Sequence, residues 1–351
     1  MKILCLLVST SRNNLATSTK RTMPFMQELL NKGHNVTFQE NLAMRYATPR
    51  QQKYLFARAN YITQSLIRQY ENFDLIFGSK VENAPLAYML SKKLKVPFIL
   101  DLDDLEKISA ADIHGYGTSF LIQRAKKVFV ASNELCKLYK KIRSDVIYLP
   151  NTTNLEYFNP EKYPDVERST EPTFFWVSDS LDWFTGCKLI FTSLKKLKRG
   201  RVIIIGGGPK TYFKELSKKL GIERQVIVKD WIPDNELPKL YMSCDIGLLP
   251  FSDNLWTRCK CPSRLFEFMA MELPYLCTVG EPAYMARKLN CGLIAKPEID
   301  DFTEKMRYAI NNLDELKNGA KRGRKYLIEK QNFNTISEKL EKELCNTVIH
   351  R

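Results

Sequence analysis

Lys2-Ile3-Leu4-Cys5-Leu6-Leu7-Val8 opens the chain as an almost unbroken apolar run. A strand buried on both faces reads this way, and such strands belong to parallel sheets covered by helices. A loop rich in Ser, Thr and Asn follows over 9–19. Thr22–Asn31 then reads as a helix, Gly33 as its left-handed stop, and 36–39 as the next strand. Strand, loop, helix, strand is the start of a doubly wound α/β unit.

The alternation continues. Pro49 opens a long helix to about residue 71, with Leu55, Ala59, Ile62 and Leu66 as its inward stripe. Strands are expected at 74–77, 97–100, 128–131 and 146–149, and helices at 84–94, 116–126 and 134–141. The strand at 97–100 runs into Asp101-Leu102-Asp103-Asp104, which puts carboxylates at the carboxyl end of a parallel strand. Open α/β sheets bind ligands at that edge. Pro150-Asn151-Thr152-Thr153-Asn154 reads as a hinge. A second cycle begins at 173–177, with further strands at 202–205, 226–228, 246–249, 275–278 and 293–295. Its helices fall at 186–197, 210–220, 235–242, 263–272 and 283–289, and three more at 301–312, 313–329 and 335–348 close the chain. The fold class is therefore α/β, with two doubly wound domains and a cleft between them. The expected division is 1–150, 151–334, and a terminal helix over 335–351 that packs back on the first domain.

Composition narrows the function classes. The 351 residues suffice for two domains with cores of their own. At 44% hydrophobic and 26% charged, the composition is that of a soluble globular protein. No apolar run is long enough to span a bilayer, and the N-terminal run is too short for a signal peptide, so the expected location is cytoplasmic. The nine cysteines form no CxxC pair, and reduced thiols are expected. His34, His114 and His350 are the only histidines, which excludes a His-rich metal centre. The net charge of +15 is unevenly spread. Residues 1–150 hold 22 Lys and Arg against 12 Asp and Glu, and the remainder holds 32 against 27. The span 41–70 has no acidic residue, and Arg50, Lys53, Arg58 and Arg68 are interleaved there with Tyr46, Tyr54, Phe56 and Tyr61. A solvated surface explains such a span, as does an anionic partner: a membrane surface or, second, a nucleic acid.

One stretch carries a candidate site: Cys261-Pro262-Ser263-Arg264-Leu265-Phe266-Glu267-Phe268-Met269-Ala270. Ser263 reads as the N-cap of a helix, and Leu265, Phe266 and Met269 as its apolar stripe. The free N–H groups and positive dipole end of such a helix make a phosphate seat. Glu267, one turn along the same face, can accept two hydrogen bonds from a ribose diol. Diphosphate and ribose at that spacing describe a nucleotide sugar. An amphipathic helix with a solvated Glu is the plainer reading of the same residues.

Five stretches together resemble the GT-B nucleotide-sugar glycosyltransferases, family four in particular. They are the helix–turn–strand Leu30-Asn31-Lys32-Gly33-His34-Asn35-Val36, the linker from Leu149-Pro150-Asn151 to Asn159-Pro160, and the glycine turn Ile203-Ile204-Ile205-Gly206-Gly207-Gly208-Pro209. The loop, helix and strand from Trp231-Ile232-Pro233 to Leu248-Leu249-Pro250 and the helix from Pro262 to Ala270 complete them. The resemblance implies two Rossmann-like domains, the second binding a nucleoside-diphosphate sugar and the first an acceptor. It places Glu267 on the ribose, the backbone of Gly207 and Gly208 near the donor, and Ile232 beside the base. No cofactor or metal is implied beyond the donor substrate.

The chain departs from the family pattern in three places. Cys259 stands where the first Glu of the paired-Glu motif is expected. The diphosphate-binding Arg and Lys expected within 177–186 are absent. Asp103 stands where a His is expected. Arg258, Lys260 and Arg264, with Ser263 and Leu265 at the helix start, are the replacement phosphate ligands. Lys260 and the two arginines would stabilise the leaving diphosphate electrostatically. Asp103 and Asp104 are the candidates for accepting the acceptor proton in an inverting reaction; in a retaining one Asp103 would position the sugar. The expected activity is a hexosyltransferase acting on a lipid-linked or cell-surface glycan, peripheral at the membrane. Three alternatives stay open: a nucleic-acid-modifying GT-B glucosyltransferase, a non-catalytic GT-B-like subunit, and a sugar-nucleotide epimerase.

Overall fold

The computed structural model describes residues 1–9, 20–42, 72–105, 118–178 and 182–349. The chain forms two compact units. The first comprises Met1–Asn151, Cys259–Cys261 and Phe333–Arg351, and the second Thr152–Arg258 and Pro262–Asn332. The loop over 10–19, the long helix expected from Pro49, and the acid-free span beyond Leu42 lie outside the described residues.

In the first unit six strands form one parallel sheet: β1 (Lys2–Ser9), β2 (Asn35–Leu42), β3 (Leu75–Ser79), β4 (Phe98–Leu102), β5 (Lys127–Val130) and β6 (Ile147–Tyr148). Their order is β2-β1-β3-β4-β5-β6. Leu4, Leu6, Ile76, Leu100 and Val128 pack on one face against Leu86, Leu90, Leu121 and Leu135. Ile3, Cys5, Leu7, Leu75, Phe77, Ile99 and Phe129 pack on the other. This two-sided burial is why β1 reads as a continuous apolar run rather than an alternating one. β4 extends two residues beyond the stretch expected from the sequence. Asp101 is consequently a buried strand residue in register with Ser79, and Asp103 and Asp104 lie just past the strand end.

The second face is closed by the helices Thr22–Asn31 and Phe333–Ile349. Ile336, Leu340 and Leu344 recur every four residues and are fully or almost fully buried beside Phe25, Met26 and Leu29. Each such side chain contributes about 1.5–3 kcal/mol on burial, an upper range because the unfolded chain hides some of this surface already. At the helix's polar margin Glu341 meets Lys32 Nζ at 3.0 Å and His34 Nε2 at 2.8 Å. Glu343 pairs with Lys127 at 2.9 Å.

The second unit repeats the plan. β7 (Thr173–Ser178), β8 (Arg201–Gly206), β9 (Val226–Val228), β10 (Ile246–Leu249), β11 (Tyr275–Cys277) and β12 (Gly292–Ile294) form a parallel sheet in the order β12-β11-β10-β7-β8-β9. The helices Trp183–Leu197 and Ile299–Asn311 cover one face through Ile190, Phe191, Leu194, Phe302 and Met306. In both sheets the order reverses beside the first strand, between β1 and β3 and between β7 and β10. Ligands of open α/β sheets bind at the carboxyl edge of such a reversal.

Candidate functional site

The second unit's candidate site is built at that carboxyl edge. β8 ends in Gly206, whose φ of +114° and a would-be Cβ 2.8 Å from the Ser178 carbonyl leave room for glycine alone. The Gly208 N–H donates to Ser178 Oγ at 3.1 Å, and a Cβ there would lie 2.6 Å from the Phe213 ring. Gly208 is therefore required for packing, and its N–H is already engaged within the turn. Gly207 is exposed, with nothing within 4 Å of a would-be Cβ, and stays open to a ligand.

The helix expected to seat the phosphates runs Ser263–Ala270. Its cap differs from the sequence reading. Pro262 occupies the N-cap in an extended conformation (φ −67°, ψ 132°), Ser263 is the first helical residue, and no side chain caps the helix. The proline ring fixes φ near a value that suits extended and helical backbone alike, so Pro262 takes the cap and Ser263 is displaced by one position. Leu265 is a core residue at 0% exposure, and its N–H donates to the Pro262 carbonyl at 3.1 Å. Its side chain belongs to the core, and its N–H is engaged within the first turn of the helix.

Glu267 is not a solvated residue. It is 2% exposed, and its Oε2 accepts from Tyr241 Oη at 2.5 Å and from Arg264 Nη1. Arg264 Nη1 also donates to Tyr241 Oη at 2.8 Å, which closes a three-membered cluster. Tyr241 is held by aromatic neighbours, stacked on Phe158 and edge-on to Phe175 and Phe268. Burial, and then the Glu267 charge, push the Tyr241 phenol well above its ordinary pKa, so it stays a hydrogen-bond donor. Burial acts to lower the Arg264 pKa, but the Glu267 carboxylate outweighs it and the guanidinium is held charged. On its outer side Arg264 lies 5.8 Å from the ring of Trp231, which is 58% exposed. Ile232, next to it, is half-buried. The sequence pointed to Glu267 and Arg264 but not to Tyr241, because a tyrosine 26 residues away on another helix leaves no local pattern.

The three candidate phosphate cations are differently placed. Arg258, half-exposed on the short helix Leu255–Arg258, forms a fork with Asp253, with Nη2 to Oδ2 at 2.9 Å. Arg264 belongs to the Glu267 cluster. Lys260 is buried at 7% exposure and, with Cys259 and Cys261, belongs to the first unit. Cys259, where a Glu was expected, is 0% exposed within the first unit's core, and its carbonyl accepts from Ser132 Oγ at 2.7 Å. Burial, then the charges of Glu134 and Asp104, push its thiol up to about 11. A glutamate at that apolar position would be an unpaired buried charge.

The first unit carries a second polar cluster, at the reversal between β1 and β3. Arg21 grips Asp101 through Nε at 2.9 Å and Nη2 at 2.5 Å, and donates from Nη1 to Asn151 at 2.7 Å. Asn151 in turn donates to the Cys261 carbonyl at 2.7 Å. Burial pushes the Asp101 carboxyl up and Arg21 pulls it back. Removing one partner of such a buried pair costs about 3–5 kcal/mol, so Asp101 serves the fold rather than a ligand. Asp103 is half-buried, 3.4 Å from Lys80 Nζ, and Asp104 is half-buried beside it. Lys80 adopts φ 66° and ψ 159°, a region nearly exclusive to glycine that costs a lysine about 1–3 kcal/mol. Neither Arg21 nor Lys80 was visible as a site residue in the sequence. Among the described residues no group of three His, Cys, Asp or Glu side chains is placed to hold a metal.

Residues 159–326 match the family model described as glycosyl transferases group 1. The match spans most of the second unit. The whole chain is similar in fold to a glycosyltransferase from Rickettsia africae, at 16% identity and a TM-score of 0.81, over 100% of this chain and 99% of that one. It is similar to the sucrose-phosphate synthase of Thermosynechococcus elongatus, at 13% identity and a TM-score of 0.80, over 100% of both chains. Anabaena HepE in complex with UDP-glucose matches at 14% identity and a TM-score of 0.76, over 99% of this chain and 100% of that one. No curated protein sequence matches. These likenesses establish the GT-B architecture of two Rossmann-like units. The Glu267 cluster and the glycine turn lie within the matched residues, at the carboxyl edge of the second sheet.

Proposed function

We propose that the protein transfers a sugar from a nucleoside-diphosphate sugar to an acceptor, with the donor held by the second unit. The observation that carries this is the buried Glu267, fixed by Tyr241 and Arg264 on a helix whose N-terminus lies at the carboxyl edge of the sheet. A carboxylate so fixed is oriented before a ribose arrives. Arg264 pairs with Glu267. In this reading the diphosphate draws the guanidinium outward and leaves the carboxylate to the ribose hydroxyls. Gly207 lets the backbone approach the donor, Ile232 offers backbone groups to the base, and Ser263 lies beside the phosphates. Arg258 and Lys260 supply further positive charge to the leaving diphosphate.

On the acceptor side, Asp103 or Asp104 takes the hydroxyl proton as the new glycosidic bond forms and the nucleoside diphosphate departs. If the configuration is retained, Asp103 positions the sugar instead. The proposed donor sugar is a hexose, and the proposed acceptor a lipid-linked or surface glycan. The acid-free basic span at 41–70 favours an acceptor at an anionic membrane. No described helix is long and apolar enough to cross a membrane.

A non-catalytic role is the second reading, favoured by the buried Cys259 in place of a site glutamate. Nucleotide release from UDP-, GDP- and ADP-sugars separates the two. One donor should be turned over, and Asp103→Asn should slow it; binding without any turnover, across a panel of glycan acceptors, would leave the non-catalytic reading.

A further inference from the structure

Lys80 has no role in the reading above, yet its position is costly in two ways. It follows β3 at the reversal point of the first sheet with 2% exposure, and it takes a backbone conformation that glycine would occupy freely. The conformation is fixed from outside, because the Lys80 N–H donates to the Asp101 carbonyl at 2.8 Å. Asp101 is in turn gripped by Arg21, and Ser79 is bonded to Thr22 at 2.8 Å between hydroxyls. A buried charge on a strained backbone persists where its side chain does what glycine cannot. Among the contacts of that side chain is Asp103, whose Oδ2 lies 3.4 Å from Nζ. Asp103 stands beyond the strand end, where its own backbone is not held by the sheet.

We propose that Lys80 is a positioning residue that orients the Asp103 carboxylate for the transfer step. The proposal rests on the transferase reading and deepens it. A carboxylate at a loop start can turn about two side-chain torsions. A fixed ammonium selects the rotamer in which one oxygen faces Nζ and leaves the other oxygen to the acceptor hydroxyl or the sugar. Lys80 acts through Asp103 and takes no proton itself.

The test uses the full chain with the donor that the wild type turns over. Lys80→Met keeps the length of the stem and removes the charge. It should melt cooperatively, bind nucleoside diphosphate as the wild type does, and keep the donor KM within about twofold, while kcat falls about 100-fold, the scale of a misplaced reacting group. Lys80→Arg should recover at least about tenfold of that loss, since the charge returns. The double variant Lys80→Met with Asp103→Asn should be no slower than Asp103→Asn alone, because residues acting as a unit are non-additive. An unchanged kcat in Lys80→Met overturns the proposal, as do losses that multiply in the double variant. Should Lys80→Met not fold, Lys80→Gly, which relieves the backbone, takes its place in the same comparison; failure of both to fold makes Lys80 a purely structural residue. A wild type that turns over no donor removes the transferase reading and this assignment with it. A working wild type with an unaffected Lys80→Met removes the assignment alone.

Discussion

Gly207 and Gly208 are neighbours with different duties. A Cβ on Gly208 would lie 2.6 Å from the Phe213 ring and 2.8 Å from Ser178 Oγ, whereas one on Gly207 meets nothing within 4 Å. Gly208→Ala should therefore destabilise the second unit by about 1–3 kcal/mol, the range for overpacking a close-packed site. Gly207→Ala should melt with the wild type but, if the proposed donor site is right, bind nucleoside diphosphate more weakly, because its methyl group would stand in the open space assigned to the donor. Thermal melts and binding isotherms of the two variants check this. A Gly207→Ala protein with full affinity would remove Gly207 from the donor site. The same contrast shows what a glycine turn conceals in a sequence: three consecutive glycines look alike, and only the neighbours Ser178 and Phe213 tell them apart.

At the scale of elements, the terminal helix Phe333–Ile349 tests how a distant segment completes a core. Its Glu341 accepts from His34 and Lys32, and these contacts, His34 first, hold the carboxyl below the usual carboxylate range. A carboxyl whose folded pKa is depressed adds stability that is full above its unfolded pKa, about 4.3, and is lost as pH falls through the folded value. Glu341→Gln should consequently be less stable than the wild type near neutrality, and the two should converge as the pH is lowered. Urea melts over that range measure it, and a gap that is constant with pH would contradict the assignment. Local signals made many elements legible. The helices Thr22–Asn31, Ala84–Leu94 and Lys210–Leu220 and the strands Val226–Val228 and Ile246–Leu249 coincide with their sequence reading, since each has a strong apolar period and a Gly, Pro or polar boundary. The Ser263 cap was misplaced because proline suits either side of a helix start. The pairs Arg21–Asp101 and Tyr241–Glu267 were not legible, being set by tertiary packing across 80 and 26 residues.

For the whole molecule, the charge of +15 bears on partners rather than on fold. If the acceptor lies at an anionic membrane, sedimentation with vesicles should increase with the anionic lipid fraction and fall with salt, since each basic residue near such a surface contributes about 1 kcal/mol. Changing Arg50, Lys53 and Arg58 to Gln should reduce it. Equal recovery with neutral and anionic vesicles points to a soluble acceptor. The central claim, a donor site built on Glu267 in the second unit, is tested most directly by titration calorimetry. UDP, GDP and ADP are titrated into the wild type and into Glu267→Gln, with melts of both recorded alongside. Saturable binding of at least one nucleotide by the wild type, weakened by about 1–3 kcal/mol in a variant that remains folded, is the expected result, that being the range for losing a charged hydrogen-bond partner. Equal affinity in the two proteins, or no binding of any of the three nucleotides by the wild type, would contradict it.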